Sequence, residues 1–141
     1  MTWTKTLTKD RASGIIIKDN KILLIHRFNG DREYWVLPGG SVEEGETAEI
    51  ALVREMKEEL TIEVKEKKKV FTIPNVGREE HNFLIIDYRG EFILGGPEAE
   101  KVSETNKYIL TWVTIEEFFK LTNFLPENAK DKVLYIWKKL K

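Results

Sequence analysis

The sequence predicts an α/β fold in which a mixed β-sheet lies between helices, an α/β/α sandwich. Two observations predict it. Short β-rich apolar runs stand before, between and after segments with helical periodicity, and some of these runs are joined by hairpin turns while others are separated by a helix, which demands a crossover. The chain has 141 residues, 41% hydrophobic and 33% charged, enough for one domain over residues 1–141 to bury a core unaided. No internal repeat or low-complexity linker divides it.

The first ten or so residues are polar and read as a peripheral or edge segment. Ser13 to Lys18 and Lys21 to Arg27 form a hairpin about Asp19-Asn20, residues that tolerate the backbone of a tight turn. Ile22-Leu23-Leu24-Ile25 is apolar on both faces and therefore central. Asn29-Gly30-Asp31 is a turn, and Tyr34 to Leu37 a short strand stopped by Pro38. A helix follows the Gly39-Gly40 pair. In it Leu52, Met56 and Leu60 recur every four positions, with Val53 widening the stripe. Ile62 to Ile73 opens another strand region. Its run Lys65-Glu66-Lys67-Lys68-Lys69 reads as protection of a sheet edge in preference to a phosphate or nucleic-acid patch.

Asn75 to Glu80 reads as a hairpin loop and His81 to Arg89 as a buried strand through Phe83-Leu84-Ile85-Ile86. Gly95 to about Asn106 is an acidic loop, and Lys107 to Thr114 a strand in which Tyr108, Leu110 and Trp112 alternate with their neighbours. A short helix over Ile115 to Leu121 comes next. The last helix, entered after Pro126, sets Val133, Leu134, Trp137 and Leu140 on one core-facing side.

Composition narrows the function. A net charge of −1 gives no global field toward nucleic acid or anionic membrane, so no stable nucleic-acid partner is expected. The absence of cysteine excludes disulfides, thiolate chemistry and cysteine zinc sites. No apolar run approaches the ~20 residues of a membrane span, and no secretory leader is visible, so a soluble cytoplasmic monomer or homodimer is expected.

Chemistry concentrates in Gly39 to Ile62. A helix turns about 100° per residue, so Glu55, Glu58 and Glu59 share one sector of its surface. Like charges at that spacing cost about 0.2–0.5 kcal/mol per pair, which invites a cation. A hard ion such as Mg²⁺ takes one or two carboxylates and keeps positions open for water and phosphate. Gly40 to Gly45 is not a phosphate-binding P-loop, because no Lys followed by Ser or Thr comes after it.

Gly40, five residues, Glu46, seven residues, then Arg54-Glu55-Met56-Lys57-Glu58-Glu59-Leu60-Thr61-Ile62 resembles the Nudix box of the Nudix hydrolase family, including MutT-like enzymes. Tyr34 to Gly39 also resembles the strand that enters the box. The sequence departs from the pattern at Thr61, where a second glycine is expected; Thr61 is expected to leave the helix without entering the left-handed region, which costs a β-branched residue about 1–2 kcal/mol.

The resemblance implies a Nudix-type sandwich and hydrolysis of a pyrophosphate bond in a nucleoside diphosphate derivative. It implies Mg²⁺, with Mn²⁺ as a substitute, on Glu55, Glu58, Glu59 and the Gly39 carbonyl, and an organising pair of Arg54 with Glu46. The base is Glu55 or a residue from a distant loop. Arg27 resembles a phosphate-contacting arginine; the alternative is a surface ion pair. Gly40 is assigned to the substrate side. Trp35 stacks on a base or packs in the core. Glu98, Glu100 and Glu104 are candidates for an extra carboxylate, with Glu104 preferred and added to the metal set. His26 and His81 read as structural.

The expected substrate is a small nucleotide, foremost a nucleoside triphosphate, oxidised or not, cleaved to a nucleoside monophosphate and pyrophosphate. The alternatives are nucleotide sugars, including ADP-ribose, and a Nudix-like module that senses nucleotide without turnover. Such modules commonly lose box carboxylates, and here Glu55, Glu58 and Glu59 all stand.

Overall fold

The computed structural model describes residues 9–95, 103 and 105–140. The strands are β1 (Arg11–Ile15), β2 (Ile17–Lys18), β3 (Lys21–Asn29), β4 (Arg32–Val36), β5 (Gly39–Ser41), β6 (Glu63–Asn75), β7 (Arg78–Arg89) and β8 (Asn106–Thr114). Helix α1 (Ala48–Leu60) lies between β5 and β6, and α2 (Ile115–Lys120), a 3₁₀ turn (Glu127–Ala129) and α3 (Lys130–Lys139) follow β8. The fold is mixed α/β, but its strands make two four-stranded sheets where one was expected. The first apolar run divides at Ile16: β1 enters one sheet and β2 the other.

In the first sheet the order is β5-β1-β7-β6, with β1 and β7 parallel and the other pairs antiparallel. In the second, β3 runs between β4 and β8, antiparallel to both, and also pairs with β2. Ile22, Leu23, Leu24 and Ile25 are each at most 2% exposed, as a strand covered on both faces requires. Asp19 and Asn20 both have positive φ, the backbone of a two-residue hairpin.

Two cores sandwich the sheets. Ile15, Ile22, Leu24 and Val113 pack with Phe118, Val133 and Trp137 of α2 and α3. On the other side Ala12, Ile16, Leu23 and Phe83 pack with Ala51, Leu52, Met56 and Leu60 of α1. Burying Leu52, Met56 and Leu60 is worth roughly 1.5–3 kcal/mol each, which exceeds the repulsion among the helix carboxylates severalfold and lets α1 carry them. Ala51, rather than Val53, completes the buried stripe.

Several expectations are corrected. The Asn75 to Glu80 loop is a two-residue turn, because β6 runs to Asn75 and β7 starts at Arg78; the turn places Val76 at φ 46°, a conformation that a β-branched residue does not advertise. Ile86 is 48% exposed on the outer face of β7, and Leu140 is 51% exposed past the end of α3. The Lys65 to Lys69 run does lie on an edge, since β6 ends its sheet, and its pairing with β7 is broken there by register shifts.

Thr61 is the clearest correction. It caps α1 at φ 59° and ψ 28°, inside the left-handed region it was expected to avoid. Its N–H donates to Lys57 O at 3.1 Å, and its hydroxyl lies 2.6 Å from Leu60 O and 2.8 Å from Glu91 O. The segment after β7 supplies more partners: Ile93 N–H donates to Leu60 O and Gly95 N–H to Glu59 O. These bonds satisfy helix carbonyls that would otherwise lack donors, and they hold the strained residue in place. Thr61→Gly should therefore be more stable than Thr61→Ala by about 1 kcal/mol in denaturant unfolding, because both lose the hydroxyl but only glycine sheds the strain. Equal stability of the two variants would show that the cap is unstrained.

Candidate active site

Strand register builds the floor of the site. Across the first sheet Ser41 stands opposite Arg11, and Arg11 opposite Glu80; two residues further along, Gly39 stands opposite Ser13, and Ser13 opposite Asn82. Ser13, Glu80 and Asn82 are at most 3% exposed, an unusual row of polar groups in apolar strands. They line a cavity of about 780 Å³ together with Glu55 and Glu59 from α1 and with Arg27, Arg32, Tyr34 and Tyr108 from the second sheet.

Arg54 fastens the loop before α1 to the helix. Its Nε donates to Glu46 Oε2 at 2.7 Å and its Nη2 to Glu46 Oε1 at 2.8 Å, a bidentate fork. Nη2 also donates to Ser41 O at 2.9 Å, and Nη1 to Glu55 Oε1 at 2.8 Å and Glu58 Oε2 at 3.2 Å. Glu46 in turn accepts from Glu43 N–H. The Arg54 guanidinium, and then that N–H, hold the Glu46 carboxyl down at about 2, while the same fork holds Arg54 above its ordinary range. The expected pair of Arg54 with Glu46 is thus present, and it also reaches two of the box carboxylates.

The three box glutamates do not stand alike. Glu55 is 12% exposed and Glu59 3% exposed, and both line the cavity; Glu58 is 49% exposed at the helix edge and does not. Glu59 Oε1 accepts from Gly39 N–H at 2.7 Å. Among the described residues no three Asp, Glu or His side chains gather within one ion's reach. The three carboxylates have different partners: Arg54 donates to Glu55 and Glu58, and Glu59 accepts from the β5 backbone. Two oxygen donors on a cavity wall still fit a Mg²⁺ ion, which takes one or two carboxylates and completes its shell with water and phosphate.

Both glycines at the box entrance allow a close approach, Gly39 to backbone and Gly40 to a side-chain end. A Cβ on Gly40 would come within 2.2–2.5 Å of the Glu55 carboxylate, and one on Gly39 within 2.2 Å of Ala12 O. Gly40 therefore makes room for a functional side chain and Gly39 for the neighbouring strand.

Arg27 lies in the cavity with its guanidinium 3.7 Å from the Tyr108 ring centre, its Nη1 donating to Asn106 Oδ1 at 2.8 Å and to Lys107 O at 3.2 Å. No carboxylate among the described residues pairs with it. Trp35 is on the opposite face of β4, stacked on His26 at 3.7 Å and packed against the first core, and does not line the cavity; Tyr34 and Tyr108 do. Strand alternation separates them. His26 pairs with Glu33, and His81 with Asp10, both away from the cavity lining. Glu98, Glu100 and Glu104 lie outside the described residues.

Arg11, Ser13, Arg32, Arg78, Glu80 and Asn82 escaped the sequence reading. A signal existed for three of them: Ser13 in β1, and Glu80 and Asn82 at alternate positions entering β7, are polar where the face should be apolar.

The NUDIX domain family model matches residues 8–137, and the chain belongs to the Nudix hydrolase family. It is 40% identical over 126 residues to an ADP-ribose pyrophosphatase of Methanocaldococcus jannaschii, covering 85% of this chain and 66% of that protein. Among solved structures, MutT from a study of Aliivibrio salmonicida and Vibrio cholerae superposes with a TM-score of 0.71 at 24% identity, covering 93% of this chain and 98% of the other. The E. coli ORF135 protein gives a TM-score of 0.71 at 26% identity, covering 91% and 89%. No described helix is long and apolar enough to cross a membrane.

The Arg54 fork has a pH signature. Because the Glu46 carboxyl lies below its ordinary 4.5 in the folded chain, its contribution to stability is full above about pH 5 and is lost as pH falls toward about 2. Glu46→Gln should flatten the fall in melting temperature over that window relative to the wild type. Parallel pH profiles would remove the fork as a source of acid sensitivity.

Proposed function

We propose that the chain is a Mg²⁺-dependent pyrophosphohydrolase of nucleoside diphosphate derivatives, with a nucleoside triphosphate as substrate and a nucleoside monophosphate and pyrophosphate as products. The observation that carries this reading is the juxtaposition, in one cavity, of Glu55 and Glu59 with Arg27 and Arg32. Carboxylates that can hold a divalent ion face guanidiniums that can hold phosphate.

Glu55 and Glu59 would hold Mg²⁺, or Mn²⁺ in its place, with Glu58 and the Gly39 carbonyl as further donors. When bound, the ion supplies neutralisation of phosphate charge and acidification of a water molecule. The chain's own residues do the rest. Arg27, kept flat on Tyr108 and anchored by Asn106, binds phosphate oxygens. Arg54 keeps Glu55 oriented and the loop from Ser41 to Glu46 closed against the helix. Gly40 preserves the space that Glu55 fills.

A second reading, an ADP-ribose or other nucleotide-sugar pyrophosphatase, is favoured by the likeness to the archaeal ADP-ribose pyrophosphatase. Product analysis separates the two. With Mg²⁺, a nucleoside triphosphate should yield monophosphate and pyrophosphate faster than ADP-ribose yields AMP and ribose 5-phosphate, and chelation should abolish both. Glu55→Gln should lower kcat/KM more than roughly 100-fold, since even residues behind metal ligands cost 10–100-fold. Absence of metal-dependent cleavage across nucleotides, dinucleotides and nucleotide sugars would instead make the chain a nucleotide-binding module.

A further inference from the structure

Hydrolysis as proposed uses Glu55 and Glu59 and leaves Glu80, the other buried carboxylate among the described residues lining the cavity, without a task. Glu80 is 3% exposed, and its Oε2 accepts from Asn75 Nδ2 and from Arg78 Nη2, the latter at 3.1 Å. Its Oε1 has no donor among the described residues. Next to it on the same face of β7, Asn82 is 2% exposed and spends its amide N–H on Glu80 O at 3.1 Å, which leaves its carbonyl Oδ1 without a donor there as well. Both residues line the cavity. Neither oxygen is sealed from solvent, since among the described residues His81 Nδ1 alone is a buried side-chain polar atom without a partner; both acceptors are open to the cavity their residues line and can take donors from a ligand.

We propose that Glu80, with Asn82, determines substrate specificity by accepting hydrogen bonds from the uncharged end of the substrate, a heterocyclic base that presents adjacent N–H donors. The inference rests on reading the cavity as a nucleotide pocket. Charge sets the direction of binding. The Glu80 carboxylate repels phosphate and already engages Arg78, whereas Arg27 and Arg32, on the second sheet, pair with no carboxylate among the described residues. Phosphates belong with those arginines and the base with Glu80. A base edge carrying N–H and NH₂ side by side, as in guanine, matches the two open acceptors. Adenine puts a lone pair where the carboxylate needs a hydrogen.

The test compares kcat/KM for GTP, ITP and ATP with Mg²⁺ in the wild type and in Glu80→Gln, with binding of GMP and AMP measured by calorimetry without turnover. Sites built around a substrate N–H reject analogues lacking it strongly, so the wild type should prefer GTP over ATP by about 100-fold or more, with ITP between. Glu80→Gln should shrink that preference by at least about tenfold, since its amide can donate to adenine. Asn82→Leu, which removes the second acceptor and keeps Glu80, should reduce the preference in the same direction and serves if Glu80→Gln fails to fold. Equal use of GTP and ATP by the wild type, or an unchanged preference in the variants, overturns the proposal. If no triphosphate is cleaved, the substrate reading fails separately and binding decides: GMP held tighter than AMP only while Glu80 is intact supports the role, and any other binding pattern rejects it.

Discussion

The Arg54 guanidinium is the contact on which the site depends. One planar group reaches both oxygens of Glu46, the carbonyl of Ser41 and the carboxylates of Glu55 and Glu58. It therefore joins β5, the loop after it and the outer face of α1 into one unit. A lysine could not do this, because a point charge offers no fork matching a carboxylate along two parallel bonds. Arg54 also moderates the repulsion that sharing a helical sector imposes on Glu55 and Glu58. The geometry is worth more for orientation than for stability, as expected of charges that give up much of their hydration to pair.

Around that unit the fold separates labour by layer. The helix buries Ala51, Leu52, Met56 and Leu60 in one core and turns Glu55 and Glu59 to the cavity. The first sheet supplies a floor of buried polar groups through the register of β5, β1 and β7. The second sheet supplies cationic and aromatic walls from β3, β4 and β8. The aromatic groups support charge: Tyr108 carries Arg27, and Tyr34 lies 4.9 Å from the Arg32 guanidinium.

Much of this was legible in the sequence, for identifiable reasons. Helical spacing put Glu55, Glu58 and Glu59 on one sector, and the Asp19-Asn20 pair and the apolar block from Ile22 to Ile25 announced a hairpin and a central strand. The Arg54 and Glu46 pairing came from the resemblance to the Nudix box and is found as a bidentate contact. What was not legible depends on contacts distant in sequence. The left-handed Thr61 is held by Glu91, and the donors that cap the helix come from Ile93 and Gly95. Which ring lines the cavity follows from strand alternation: Tyr34 and Trp35 point to opposite faces, and only tertiary packing says which face is the cavity. Ser13, Glu80 and Asn82 come together through the parallel pairing of β1 with β7, a register that no local pattern encodes.

Hydrolysis as proposed requires Glu55 and Glu59 to be the side chains that meet the divalent ion. Crystals grown with Mn²⁺ and a non-hydrolysable nucleotide, with anomalous scattering recorded at the manganese edge, test this most directly. An anomalous peak is expected in contact with carboxylate oxygens of both residues. A peak bound elsewhere, with Glu55 still held by Arg54 and Glu59 still held by Gly39, would contradict it.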